Sequence, residues 1–127
     1  MKNDRQRLEL IIKYCEDAER DCELIGTRDA FMANPLYQRG CTKLIELVAE
    51  HTKLLSDDFK RQFLEIPWKE IVGMRNRTVH NYESSDLDIV WDTYVHDLPE
   101  IHAACIRILH ILKNQGSDEK RCEEPGL

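Results

Sequence analysis

The 127-residue chain is poor in turn-forming residues, since it contains only 5 glycines and 4 prolines. That content is too small for a β-sandwich, which needs a turn after each of many short strands. No apolar run approaches the roughly 18 residues that a membrane-spanning helix requires. Residues 1–7 also lack the apolar stretch of a secretory signal, so we expect a cytoplasmic protein.

The five cysteines do not follow a metal-binding or disulfide pattern. Their number is odd and no C-x-x-C pair occurs, which argues against a disulfide framework and a zinc ribbon. Phosphate-binding loops, dinucleotide fingerprints, H-E-x-x-H and G-x-S-x-G motifs are also missing. We therefore predict no metal and no cofactor. Four of the cysteines fall on apolar helical stripes, where a thiol serves as a small hydrophobic group: Cys15, Cys22, Cys41 and Cys105.

The charge of the chain is unevenly distributed. The net charge is −6, and residues 83–100 hold six acidic residues with no lysine or arginine. The remainder is balanced, which excludes a general nucleic-acid binder with a broad basic surface. Residues 67–82, in contrast, contain three basic residues and one acidic residue. A contact with phosphate limited to one site is therefore still possible.

Apolar residues recur at three- and four-residue steps along nearly the whole chain, which predicts an all-α fold of four or five helices packed as a bundle. Gly26 is placed to end the first helix, and Asn34 and Ser56 are placed to cap later ones. Pro99 is expected to kink a long last helix. We predict a helical domain over residues 1–113 and a flexible charged tail over residues 114–127.

One segment concentrates residues that can carry chemistry, namely Arg75, Asn76 and His80 near the end of a predicted helix. A histidine can transfer a proton near neutral pH, and a guanidinium can hold a phosphate through two hydrogen bonds. Together they suit attack of a ribose 2′-hydroxyl on its own phosphodiester. Arg75 and His80 lie about 140° apart around an ideal helix, so a second copy of the helix would help to bring both groups to one ligand. The alternative interpretation is that these are structural polar residues at a helix end.

The segment Arg75-Asn76-Arg77-Thr78-Val79-His80 resembles the R-x(4–6)-H signature of HEPN domains. With Tyr82 it matches R-x-x-x-x-H-x-Y, the variant found in HepT-like toxins of the HEPN/MNT toxin–antitoxin systems. Ile66-Pro67-Trp68 and Asp97-Leu98-Pro99 resemble that family in order and spacing. Ala49, where the family often has glycine, is a departure from its pattern.

This resemblance implies a dimeric helical bundle that acts as a metal-independent endoribonuclease. His80 would be the general acid and base, Arg75 the ligand of the phosphate, and Asn76 a supporting polar group. Tyr82 matches the tyrosine to which a partner MNT nucleotidyltransferase antitoxin adds AMP, which silences the toxin. The expected partners are therefore this antitoxin, RNA and a second copy of the chain, and no membrane.

Two further expectations concern charged residues outside the motif. Glu50 is either a buried carboxylate that orients Arg75 or an exposed charge on a helix face. The acidic run over residues 83–100 would contribute to a surface for the antitoxin rather than for RNA. The competing functional hypothesis is a HEPN module that docks a nucleotidyltransferase or a nucleotide and cleaves nothing.

Overall fold

The computed structural model describes residues 3–79 and 87–123, and every regular element within them is helical. The all-α prediction is therefore confirmed. Four long helical segments form the bundle, and two short helices connect them. In chain order the elements are α1 (Asp4–Ile25), α2 (Arg28–Ala33), α3 (Pro35–Lys53), α4 (Asp57–Arg61), α5 (Trp68–Val79), α6 (Leu87–Asp92), a π-helical turn (Thr93–Asp97) and α7 (Leu98–Glu123).

The helix ends follow the capping residues of the sequence. Gly26 ends α1 with a positive φ of 83°, a conformation that glycine adopts without steric penalty, and its N–H donates to the carbonyl of Cys22. The side chain of Asn34 accepts from the N–H of Leu36, and the Ser56 hydroxyl accepts from the N–H of Phe59. These contacts confirm the predicted caps, because each satisfies a backbone donor that has no partner inside the helix.

The core lies between α1, α3, α5 and α7. Helix α1 packs against α3 on one side and α7 on the other, and α5 packs mainly against α3. The most deeply buried side chains come from all of these elements and include Leu8, Ile11, Ile45, Met74, Tyr94 and Ile108. Helix α5, which carries the candidate site, is thus held by one buried face.

A π-helical turn lies directly before Pro99, and the kink predicted at this proline stays a prediction. The N–H of Leu98 donates to the carbonyl of Thr93, five residues earlier. Pro99 has no N–H to donate and its ring crowds the preceding turn, so a widened turn accommodates it within a continuous helical segment. The helical elements follow one another without interruption from Leu87 to Glu123.

Helix α7 continues to Glu123, ten residues into the segment that the sequence predicts as a tail. The division of the chain at residues 113 and 114, and the mobility of residues 114–127, stay predictions. Among the residues described, no helix combines the length and the apolar character needed to cross a membrane.

Candidate functional site on helix α5

Helix α5 is fixed at its first residue by an aromatic anchor. The indole N–H of Trp68 donates to the carbonyls of Lys60, at 3.1 Å, and Phe63, at 3.0 Å. The helix begins at Trp68, so Pro67 precedes the first helical position and supplies the carbonyl that accepts from the N–H of Ile71. These bonds tie the start of α5 to α4 and thereby set the direction in which its other end points.

The two faces of α5 differ sharply in exposure. Ile71 and Met74 are buried in the core, with exposed fractions of 4% and 1%. Arg75 and Asn76 follow directly and are exposed. Because successive helical residues turn by about 100°, burying Met74 directs the next two side chains away from the core. The structure thus places a guanidinium and an amide on an accessible face, where a phosphate could reach them.

The other two predicted site residues, His80 and Tyr82, lie outside the described residues. Helix α5 ends at Val79, immediately before His80. The roles predicted for His80 and Tyr82, and for Arg75 and Asn76, stay predictions.

The structure corrects one of the two interpretations of Glu50. This side chain is exposed on α3, so the prediction of a buried carboxylate is wrong and the exposed helix-face charge is right. Its immediate neighbours on either side are Ala49, which is buried, and His51, which is half-buried. The apolar stripe therefore passes beside Glu50 without including it. A supporting role toward Arg75 stays a prediction.

Two acidic residues of the run 83–100, Asp97 and Glu100, line a surface cavity beside α5. This cavity of about 180 Å³ lies between α5 and the start of α7, and Glu70 also lines it, together with Ile71 and Met74. Carboxylates at this density repel phosphate, so this flank of α5 is unsuited to an RNA backbone. Earlier in the run, Asp88 forms an ion pair with Arg28.

Within the described residues, no group of three or more histidine, cysteine or acidic side chains has the geometry to hold a metal ion. The buried thiols are also unsuited to catalysis. Burial raises the pKa of Cys15, Cys41 and Cys105 to about 12, which keeps them protonated and weakly nucleophilic at neutral pH.

Proteins described as ribonucleases are similar to this chain over most of its length. The model of the ribonuclease HepT-like family matches residues 11–108. A protein of Caldanaerobacter subterraneus subsp. tengcongensis, named "Putative RNase TTE0752", is 32% identical over 109 residues, which are 86% of this chain and 96% of the relative. A protein of Thermococcus cleftensis, named "Probable ribonuclease HepT", is 33% identical over 94 residues, covering 69% and 86% of the two chains.

No solved structure matches this chain closely enough to be significant. The family match spans the region from the middle of α1 to the middle of α7, and therefore includes the whole of α5. The relatives are matched over most of their own length as well. The chain therefore belongs to the ribonuclease HepT-like family.

Proposed function

We propose that this protein is a metal-independent endoribonuclease and the toxin of a HEPN/MNT toxin–antitoxin system. The observation that carries the proposal is the exposed Arg75 on α5, held by a buried helix face and placed just before His80, in a chain of the ribonuclease HepT-like family. Membership in that family supports ribonuclease activity. The types of the site residues support one particular chemistry for that activity.

The proposed reaction is an internal transesterification of RNA. A neutral His80 imidazole accepts the proton of the ribose 2′-hydroxyl, whose oxygen forms a bond to the adjacent phosphorus. The bond from phosphorus to the 5′-oxygen breaks, and that oxygen receives a proton from an imidazolium. Arg75 holds the phosphate through its guanidinium and stabilises the negative charge that develops on it, while Asn76 orients the phosphate or the imidazole. The products are a 2′,3′-cyclic phosphate and a 5′-hydroxyl.

We further propose that two copies of the chain form one cleft. The base and the acid act on opposite sides of the phosphorus, and each motif supplies one histidine. In a homodimer, one copy of His80 would act as the base and the other as the acid. Since Arg75 and His80 point about 140° apart on an ideal helix, two helices surround one phosphate better than one helix does.

The proposed regulator is a nucleotidyltransferase antitoxin that transfers AMP to the hydroxyl of Tyr82. Such a modification adds a phosphodiester charge close to the proposed phosphate site, which repels an incoming RNA backbone. The acid-lined cavity beside α5, which contains Glu70, Asp97 and Glu100, supports a protein partner on this flank rather than a nucleic acid.

The test is cleavage of RNA by the purified full chain in EDTA, beside Arg75→Ala and His80→Ala. We expect 2′,3′-cyclic phosphate ends from the wild type, and a loss of about 10²-fold or more in each variant. Lys69→Ala is the matched control, because it removes one exposed positive charge from the first turn of the same helix. Equal residual activity in all proteins would identify a contaminating nuclease and contradict the proposal.

The alternative function is a HEPN module that docks a nucleotidyltransferase or nucleotide without cleaving RNA. The net charge of −6 and the carboxylates beside α5 favour it. Absence of cleavage in a preparation whose Tyr82 is unmodified by mass spectrometry would support this alternative. A tyrosine carrying AMP would instead show that the toxin had been purified in its silenced form.

A further inference from the structure

A groove of about 520 Å³ lies on a part of the surface that the proposed reaction does not use. It runs between the second half of α1 and the segment formed by α6, the π-helical turn and α7, and no residue of α5 lines it. On the α1 side the lining includes three small residues at helical spacing, Cys15, Ala18 and Cys22. On the other side they include the rings of Trp91 and Tyr94. The groove is open because the small side chains on α1 do not fill the space in front of the larger side chains on the opposite wall.

The two sides of this groove are held in register by hydrogen bonds. His102 and Glu16 are joined at 3.3 Å, and the Tyr94 hydroxyl donates to Asp21, also at 3.3 Å. Residue numbers rise along one side as they fall along the other, so the two walls are antiparallel. From Cys15 to Gly26 the α1 wall is about 16 Å long, at 1.5 Å per residue. The groove therefore runs between two antiparallel helical walls that are joined by hydrogen bonds.

The π-helical turn that accommodates Pro99 also forms part of one wall of the groove. Tyr94 and Val95 belong to this turn and line the groove, together with Pro99 directly after it. A π-helical turn disrupts the regular helical hydrogen bonding and is found frequently at functional sites. Here it places aromatic and apolar side chains on one wall of the groove.

The charges at the edge of the groove select the class of ligand. Glu19 and Glu23 line it one turn apart on α1, and both are exposed. Neither lysine nor arginine occurs among the lining residues. An RNA backbone or an anionic lipid surface would be repelled here, whereas a cationic ligand would be attracted. Because the residues at the bottom of the groove are apolar, a ligand that fills the groove must also have hydrophobic groups.

We propose that this groove binds a positively charged amphipathic helix of a partner protein. A helix of about 12 residues presents apolar side chains at positions i, i+4, i+7 and i+11, which span about the 16 Å of the α1 wall. Those side chains would lie against Trp91 and Val95, which are partly exposed in the groove. Lysine or arginine side chains beside them would pair with Glu19 and Glu23. The proposal is independent of the ribonuclease assignment, because it uses no residue of α5.

The first test is titration of the full chain with fluorescein-labelled 12-residue peptides, measured by anisotropy. One peptide has leucines at the four positions above and lysines beside them, a second has glutamates in place of the lysines, and a third has the lysine composition in scrambled order. We expect the lysine peptide to bind about tenfold or more tightly than either of the others. Equal binding of the scrambled peptide would show only attraction to a negatively charged protein and would overturn the proposal.

Protein variants then locate the binding site. Glu19→Lys with Glu23→Lys should weaken the lysine peptide about tenfold and strengthen the glutamate peptide, whereas Glu9→Lys with Glu65→Lys changes net charge equally and should have no such effect. Cys22→Phe fills the groove and should abolish binding of both peptides, with folding checked by circular dichroism. The lysine peptide should also slow alkylation of Cys22, which is half-buried in the groove, as followed by mass spectrometry.

Three results would overturn the proposal. If the Glu19→Lys and Glu23→Lys double variant binds the lysine peptide within twofold of the wild-type affinity, ion pairs between the peptide and these two residues are excluded. Unchanged alkylation of Cys22 at saturating peptide would place the peptide elsewhere. The third result has two parts: the wild-type chain sediments as a dimer and binds no peptide, and Cys22→Phe dissociates this dimer. That result would assign the groove to a second copy of the chain.

Discussion

Substitutions at two neighbouring residues of α5 should have different effects, one on the stability of the fold and the other on RNA cleavage. Met74 is 1% exposed in the core, whereas Arg75 is exposed. Met74→Ala deletes three side-chain atoms beyond Cβ, and at about 0.8 kcal/mol for each the lost burial is about 2.4 kcal/mol. A residual cavity adds to this, so we expect a total loss of about 3 kcal/mol in the free energy of unfolding. Arg75→Ala is a surface substitution and should change the free energy of unfolding by about 1 kcal/mol or less, including the loss of an exposed polar contact.

The assay is urea unfolding followed by circular dichroism at a fixed protein concentration, since a dimer would make stability concentration-dependent. Met74→Leu conserves volume and should cost less than about 1.5 kcal/mol. Cleavage of RNA, measured under conditions where each variant is folded, should be retained by Met74→Leu and lost by Arg75→Ala. A loss of more than about 2 kcal/mol in Arg75→Ala would refute the reasoning, because loss of activity would then follow from loss of structure.

Three further predictions concern stability and thiol chemistry. Gly40 lies within α3 with nothing within 4 Å of the position that a Cβ would take, so Gly40→Ala should raise the free energy of unfolding by about 0.5–1 kcal/mol in urea titrations. Ser56→Ala removes the cap of α4 and a hydrogen bond to Asp4, and should lower the free energy of unfolding by about 1 kcal/mol, an effect that unchanged thermal melting would contradict. Burial raises the pKa of Cys15 and Cys105 from the usual 9.0 to about 12, so the native chain retains these protons where the unfolded chain loses them. The contribution of these two thiols to the free energy of unfolding is therefore fully present below about pH 9 and declines as the pH rises toward 12. Urea titrations between these pH values, with Cys15→Ala as the control, would measure the decline.

The sequence predicted local structure well where a single residue determines it. Asn34 and Ser56 cap the helices that follow them because a side-chain oxygen needs only the next two or three backbone donors. Gly26 ends α1 because a positive φ is accessible to glycine at little cost. Each of these outcomes depends on residues within one turn, so periodicity and residue type were sufficient.

The features that the sequence did not predict depend on contacts between distant segments. Glu50 adjoins the apolar stripe of α3, and only the packing of α3 against its neighbours decides that its side chain is exposed. The π-helical turn before Pro99 and the groove beside it were also not foreseen. Cys15 and Ala18 lie in the core, as their place on the apolar stripe predicts, but they also line the groove together with Cys22. Glu19 and Glu23, which lie at the edge of this groove, were not singled out from the sequence.

The composite cleft proposed for catalysis predicts a particular response to mixed dimers. If one His80 is the base and the other is the acid, a dimer with one His80→Ala protomer lacks one of the two groups. Co-refolding wild-type and His80→Ala chains in equal amounts leaves about a quarter of the dimers with both histidines when association is random. Activity in EDTA should therefore fall to about a quarter of the all-wild-type value.

Independent sites would give a different result, because half of the protomers would still carry a complete motif. Activity would then fall to about one half, and it would follow the wild-type fraction linearly instead of as its square. Lys69→Ala chains mixed in the same way are the control, since they should leave activity unchanged at every ratio. A linear dependence would exclude the shared cleft while leaving Arg75 and His80 as candidates within a single chain, so this titration tests the dimeric mechanism separately from the identity of the catalytic residues.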